Sequence, residues 1–418
     1  MCWFRRKRPG SPASPCPPGI SILLAGLLAL VPTPPAAADA AAALRIPELS
    51  SDHEAWLVTY GPGEVYWQRF GHNAIWLREP ALGLDHTFNF GYFDFDQENF
   101  IGRFVRGRLL YFSLAQPART EFEGYRRENR AITAQRLNLQ PAQYRRLRDH
   151  LLETVRPANR EYLYDYYLDN CSTRVRDALD LALGGALAAT YGAAPAAQGF
   201  RDHTRRLTSM DFWYYLGLEA ALGSRVDRPI SRWEEMFVPA VVADSLASFT
   251  APPGAAAAPL VNARREIFHA GSPLPATPPA VWPRYLLLGA LLAAVPWLGG
   301  RVASQRLARA LVVGWLALAG GGGLVLTGLW GMTDHHAAGA NENLLLLNPL
   351  LLAALFPGGR RVAALLLVSG VVVSVLLAAV PGGQYMLDVL VLIAPPHLAG
   401  AVALWRWPRG GSGTPAQG

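Results

Sequence analysis

The chain has 418 residues, 51% of them hydrophobic and only 17% charged, with a net charge of +7. Soluble proteins carry charge on roughly a quarter of their residues, so this composition leans toward the membrane and excludes a disordered chain, while 40 Gly and 33 Pro without a repeat exclude a collagen-like one. Four of the positive charges, Arg5, Arg6, Lys7 and Arg8, stand ahead of an apolar run, which leaves the rest of the chain close to neutral and without the electrostatic footprint of a nucleic-acid binder.

That N-terminus reads as an export signal: a basic start, an apolar stretch from Ile20 to Val31, Pro-rich residues, and the small residues Ala36, Ala37 and Ala38. As a helix the apolar stretch rises about 18 Å, short of a ~30 Å hydrocarbon core, so a signal peptide over 1–38 is expected rather than a retained anchor. Cleavage after Ala38 removes Cys2 and Cys16, leaves Cys171 as the only thiol, and rules out an internal disulfide. The expected order is an extracytoplasmic domain at 39–250, an Ala/Pro/Gly-rich linker at 251–280, a membrane domain at 281–407 and a cytoplasmic tail at 408–418.

The stretch YGPGEVYWQRFGHNAIWL runs from Tyr60 to Leu77 and turns extended at His72, with Ala74, Trp76 and Arg78 on the same face as His72. A second extended run, Asp85 to Phe95, folds back as a hairpin about residue 80 or 81 and brings positions 87 to 90 opposite His72. Asn89 lies in that window and can fix the tautomer of the imidazole; His86, on the other face, is the alternative partner and ranks below it.

In EYLYDYYLDNCSTRVRDALDLAL, Asp169 or Asn170 can cap a helix whose apolar positions Val175, Ala178, Leu179 and Ala182 recur at helical spacing. Cys171 opens that helix, where unpaired N–H groups stabilise a thiolate and can also face an acyl oxyanion. A lone Cys is usually a small buried hydrophobe, but a helix start inside the polar sequence DNCSTR, in an exported chain with a strand His, favours a nucleophile. Tyr162, Tyr164, Tyr166 and Tyr167 read as packing, with Tyr164 kept as a candidate to touch substrate. Arg174 and Arg176 read as surface or ion-paired, Arg174 staying with Asn170 among the supporting candidates.

Apolar segments follow at about 282–298, 308–330, 343–357, 361–380 and 385–405, the third short enough to raise a re-entrant alternative. Five spans with the globular domain outside place Arg301, Arg306 and Arg309, then Arg360 and Arg361, then Arg406 and Arg409 on the cytoplasmic side, whereas a re-entrant third segment would carry Arg360 and Arg361 outward. Five spans are therefore expected, the third reaching across with flanking residues. The loop from Thr333 to Asn343 then lies outside, beside the globular domain, where His336 and Asn341 can help to close a site. Asp388 and His397 are isolated ionisable residues in an apolar span; their plain reading is a snorkelling Asp388 and a His397 bonded between helices. The Gly320 to Gly323 run reads as a place of close helix approach. Adjacent His335 and His336 without a second ligand pair make no metal site, and no phosphate-cradling Gly loop or dinucleotide fingerprint appears, so neither metal nor cofactor is expected.

A strand His, a polar residue on the next strand, then Asn-Cys at a helix start resembles the circularly permuted papain-like folds related to NlpC/P60 peptidases and lecithin:retinol acyltransferases. More specifically, YGPGEVYWQRFGHNAIWL, FNFGYFDF, NFIGRFVRGRLLYFSL and YDYYLDNCSTRVRD look like motifs of the Lnb N-terminal periplasmic domain, and TDHHAAGANENLLLLNPL looks like that family's transmembrane domain. The resemblance implies an α+β, permuted papain-like extracytoplasmic domain followed by an all-α bundle of about five helices. It further implies a lipoprotein N-acyltransferase of the bacterial inner membrane, with Cys171 as nucleophile, His72 as base, a membrane phospholipid as acyl donor and diacylated lipoproteins as acceptors. A membrane-anchored Cys/His hydrolase, acting on wall peptides or lipids, shares the same pair of residues and is the alternative; a scaffold with a structural Cys171 is a third reading.

Overall fold

The computed structural model describes residues 44–250, 258–270, 274–302, 304–356 and 358–406. The expected signal peptide and cytoplasmic tail lie outside these residues, as do 251–257 and 271–273 of the expected linker.

Among the described residues seven strands form one antiparallel sheet: β1 Glu54–Tyr60, β2 His72–Glu79, β3 Leu84–Phe93, β4 Leu110–Pro117, β5 Ile132–Leu137, β6 Glu161–Leu163 and β7 Val261–Phe268, in the spatial order β6-β4-β3-β2-β1-β5-β7. The central strands are rich in aromatic and branched residues because both faces are covered. On one face Leu57, Ile75, Leu77 and Phe88 meet Leu147, Val175 and Leu179 from the helices α3 (Pro141–Thr154) and α4 (Cys171–Ala182). On the other, Val58, Tyr60, Ala74 and Trp76 meet Phe122 of α2 (Ala118–Arg127). The helix α1 (Phe100–Arg106) connects β3 to β4 at one end of the sheet. After α4 come α5 (Ala186–Tyr191), α6 (Phe200–Thr208), α7 (Phe212–Ala221), α8 (Arg232–Glu235) and α9 (Pro239–Ser248).

The β2–β3 hairpin turns on Pro80–Leu82, with Gly83 at φ +62°, and pairs Ala74 with Asn89. The expected linker needs correction, because its residues 261–268 are β7, paired along β5 at the sheet edge. Its charges Arg264, Arg265 and Glu266 mask a strand signal that an edge strand can afford to carry on its outer positions, while Ile267 and Phe268 are buried.

The C-terminal part contains α10 (Trp282–Val302), α11 (Gln305–Met332), α12 (Arg360–Ala378) and α13 (Leu387–Arg406). Three of them, α11, α12 and α13, are long and apolar enough to cross a membrane; Trp282–Pro296 and Glu342–Leu355 are shorter apolar stretches. The latter winds as 3-10 turns, Glu342–Leu345 and Pro349–Leu355, instead of an α-helix. It starts beside Gln384, which follows α12, and ends against Gly359, which precedes it, so it runs the length of that helix. Eleven of its fourteen residues lie in 3-10 turns, which at about 2 Å per residue reach further than the same residues would in an α-helix.

Irregular backbone in an apolar layer must be satisfied internally. His397 Nε2 donates to the Leu346 carbonyl (2.8 Å) between the two 3-10 turns, and its Nδ1 accepts from Trp315 Nε1 (3.0 Å). Gly320 and Gly323 sit where a Cβ would strike Leu352 and the Leu347 carbonyl, so the close approach is to this segment. Asp388 is fully buried rather than snorkelling: its Oδ2 accepts from Tyr215 Oη (2.5 Å) and lies 3.6 Å from Arg205 Nη2, tying α13 to α7 and α6.

Candidate active site

Asn170 is the residue that caps α4. Its Oδ1 accepts from the N–H groups of Ser172 (2.9 Å) and Thr173 (3.0 Å), while its Nδ2 donates to the carbonyls of Tyr166 and Phe237, both at 2.9 Å. Cys171 therefore begins the helix in a position fixed by four hydrogen bonds, and two of the helix's free donors are already consumed. Asn73, the residue after His72, locks the helix to the sheet: its Oδ1 accepts from Ser172 Oγ (3.1 Å), and its backbone N–H is directed at the Cys171 sulfur. The sulfur thus lies against the His72–Asn73 peptide. Across it, β3 passes with Gly91 at φ +91°, where a Cβ would lie 3.6 Å from Cys171 Cβ and 3.5 Å from Tyr164 Cε2. A left-handed residue pressed between two side chains calls for glycine.

His72 Nε2 is 3.0 Å from Asn89 Oδ1, and Asn89 Nδ2 donates to Glu121 Oε2 (2.6 Å). Burial raises the Glu121 carboxyl, against its hydrogen bonds, but Oε2 takes three donors, Thr87, Asn89 and Gln116, and so accepts here; that sets the Asn89 amide with its oxygen toward His72, which places the proton on Nε2 and leaves the lone pair on Nδ1. Glu121 is itself held by Thr87 Oγ1 and Gln116 Nε2. The imidazole stacks on Tyr60, centroids 5.8 Å apart, with Tyr125 beyond.

Burial lowers the pKa of His72 to about 4, the Asn89 bond opposing and nearby Arg130 reinforcing. Burial raises the Cys171 thiol above its ordinary value, against the pull of the N–H groups of Asn73, Ser172 and Cys171 itself and of the Ser172 hydroxyl at 3.8 Å. The expected stabilisation of a thiolate at the helix start is present but smaller than the desolvation cost. At rest the pair is un-ionised, and no Cys171–His72 hydrogen bond is formed among the described residues.

The other expected residues separate into two groups. Tyr164 belongs beside the thiol and stacks on Tyr111 at 4.1 Å. Arg174 is paired bidentately with Asp169 (2.6 and 2.8 Å) and lies 3.4 Å over the Tyr162 ring, bracing the wall. His86 pairs across the hairpin with Leu77 and accepts from the Asp85 N–H, away from His72. Asn341 uses its amide on the carbonyls of Ala220 (2.9 Å) and Ala221 (3.0 Å), and His336 opens a 3-10 turn in the loop that binds the two parts of the chain together. Among the described residues no three His, Cys, Asp or Glu side chains converge as a metal site would require.

Two residues were missed in the sequence. Asn73 had a signal, being polar on a face otherwise carrying Ile75 and Leu77. Glu121 had none, since a Glu in a short helix between charged residues reads as solvated surface.

Two family models match the chain: the Lnb N-terminal periplasmic domain over residues 49–209 and the Lnb transmembrane domain over residues 276–394. No curated protein and no solved structure matches it.

Proposed function

We propose that this chain, which belongs to the Lnb family and has a periplasmic and a transmembrane part, is a thiol acyltransferase that N-acylates lipoproteins. The observation that carries the reading is the sulfur of Cys171 set against the His72–Asn73 peptide, with the tautomer of His72 fixed through Asn89 and Glu121. The order His, Asn, Cys along the chain is the one expected of a permuted papain-like domain.

On arrival of a phospholipid, the thiol proton passes to His72 Nδ1 as the sulfur attacks an acyl ester carbon. The oxyanion forms at the start of α4, near the N–H groups of Cys171 and Asn73. Collapse breaks the ester C–O bond, the lysophospholipid oxygen takes the proton from His72, and an acyl thioester remains on Cys171. The terminal amine of a diacylglyceryl-cysteine lipoprotein then attacks the thioester, His72 accepts a proton from that amine, and the departing thiolate recovers it. An un-ionised resting pair suits this cycle, because proton transfer accompanies attack instead of preceding it.

Both substrates are lipids, which gives the membrane part a purpose: it holds the site at the surface of the bacterial inner membrane. Five crossings, the third by the 3-10 stretch Glu342–Leu355, put every loop Arg cluster on the cytoplasmic side.

The test is mass spectrometry of a lipoprotein N-terminal peptide from a host without its own N-acyltransferase, expressing the chain or its Cys171→Ala form at matched levels. One added acyl mass that depends on Cys171 is the expected result. A peptide that stays diacylated in both strains, with free fatty acid released by the purified protein, would instead establish the hydrolase.

A further inference from the structure

The β3–β4 connection takes no part in the chemistry described above, yet it turns an apolar helix face outward. On α1, Ile101, Phe104 and Val105 recur at the spacing of one helix face and are 75%, 50% and 55% exposed, with exposed Phe95 beside them. Such a face is not a normal solvent surface. Arg103 lies in the last turn of the same helix, and exposed Arg106 ends it.

The chain fixes the level at which this face sits. At 28 residues α11 spans about 42 Å, longer than a ~30 Å hydrocarbon core, so its ends reach the interfaces. Directly after it, the Asp334 N–H donates to the Arg106 carbonyl (2.8 Å), His335 Nε2 donates to the Phe104 carbonyl (3.1 Å), and Asp334 pairs with Arg108. The end of α1 is thus pinned where a membrane span emerges.

From there, aromatic rings lead to the thiol. Phe104 is followed by Phe100 (6.4 Å between centroids), Phe93 (6.3 Å), Tyr111 (5.2 Å) and Tyr164 (4.1 Å), and Tyr164 shares Gly91 with Cys171. We infer that α1 is an interfacial helix that dips its Ile101–Phe104–Val105 face into the outer leaflet, with its Arg residues at the phosphates, and that the aromatic run conducts one phospholipid acyl chain from that leaflet to Cys171. The inference deepens the acyltransferase reading and rests on it for the fate of the lipid, but not for the position of the helix.

The test uses the full chain with Cys2, Cys16 and Cys171 replaced by Ser, reconstituted in phosphatidylglycerol/phosphatidylethanolamine vesicles and carrying a bimane on Ile101→Cys or, at the far end of the sheet, on Arg146→Cys. Phospholipids brominated high in the acyl chain are expected to quench the label at 101 at least threefold more than the label at 146, with aqueous iodide showing the reverse order. Iodide quenching at 101 equal to that at 146 overturns the inference; protection of 101 from both quenchers also overturns it, because protein, such as a second copy of the chain, would then cover the face. For the path, a phospholipid with a diazirine at the end of one acyl chain should label the peptide from Tyr92 to Phe112, and adducts confined to α11–α13 would exclude it. Neither readout needs turnover, so lipoproteins left unmodified by the parent chain with Cys171 intact, beside a quenched label at 101 in the Cys171→Ser protein, would reject the transferase and leave the interfacial helix standing.

Discussion

The end of the sheet that holds Cys171 and the junction between the globular and membrane parts both bury imidazoles and charges, but they treat them differently. At and near the junction the buried imidazoles are bonded at both nitrogens and the buried charges are paired. His397 uses both ring nitrogens, on Trp315 and the Leu346 carbonyl, and His203 uses both as well, on Glu235 (2.9 Å) and Arg206 (3.0 Å). Asp388 has Tyr215 and Arg205, and Arg201 has Asp227 and Glu219. His72, by contrast, has Asn89 on Nε2 and no hydrogen bond on Nδ1 among the described residues. A ring bonded at both nitrogens is committed to holding structure, whereas one bonded at a single nitrogen keeps a lone pair for chemistry.

The largest effect that tests this contrast is the loss of acyl transfer in His72→Ala, up to about 10⁴-fold, with the melting temperature little changed. His397→Ala should do the opposite, lowering thermal stability in detergent while the transfer rate per folded molecule stays within a few-fold. A His397→Ala protein that is folded but inactive would break the comparison. Next in size is Arg205→Ala, which leaves Asp388 buried with tyrosine hydroxyls, Tyr215 and Tyr385, but no cation, and should destabilise the chain by about 3–5 kcal/mol, read as unfolding in a denaturant series. Equal stability in that variant would mean the junction cluster holds nothing together.

How far this division could be read beforehand depends on whether a feature is local. The fold-back expected about residue 80 or 81 set positions 87 to 90 opposite His72; the pairing runs slightly further along, with Asn89 opposite Ala74, but the shared face of the hairpin still brings its amide to His72. The start of α4 was equally local, being written in Asp169, Asn170 and the apolar spacing that follows. β7 was hidden, since an edge strand pairs on one side and can carry Arg264 and Arg265 outward, so its composition resembles a tether. The 3-10 winding of Pro349–Leu355 was hidden for another reason: Leu and Ala favour an α-helix, and only packing beneath Gly320 and Gly323 imposes the tighter turn. The sign of the thiol shift was out of reach as well, because desolvation belongs to the assembled site and not to the helix that begins at Cys171.

The contrast is sharpened by Asn89→Ala, a smaller change than loss of the imidazole. It removes the acceptor that fixes Nε2–H and should slow transfer roughly 10- to 100-fold, with Asn89→Gln recovering part of the loss if the amide can again span His72 and Glu121. A merely structural Asn89 would lower stability and leave the pH profile where it was. As a positioning residue that favours the imidazolium, it should instead move the acid limb of kcat/KM to lower pH when removed.

The acid limb itself is the smallest and most specific expectation. His72 titrates near 4 in the folded chain against an ordinary 6.5, so the base is free above about pH 4, and kcat/KM should stay flat from pH 8 to about 5.5 before falling toward pH 4. The thiol is raised, so no thiolate limb should appear at neutral pH. The same shift has a thermodynamic sign. Between pH 6.5 and 4 the unfolded chain binds a proton at His72 that the folded chain refuses, so this residue's effect is to lower stability as pH falls through that window, saturating below about 4. His72→Gln deletes the titrating group, and its unfolding free energy should therefore fall less steeply than that of the parent between those limits. An activity limb near 6.5, with parallel stability curves for the two proteins, would mean that the ring is solvated like an ordinary surface histidine, and the distinction between the two ends of the molecule would have to rest on hydrogen bonding alone.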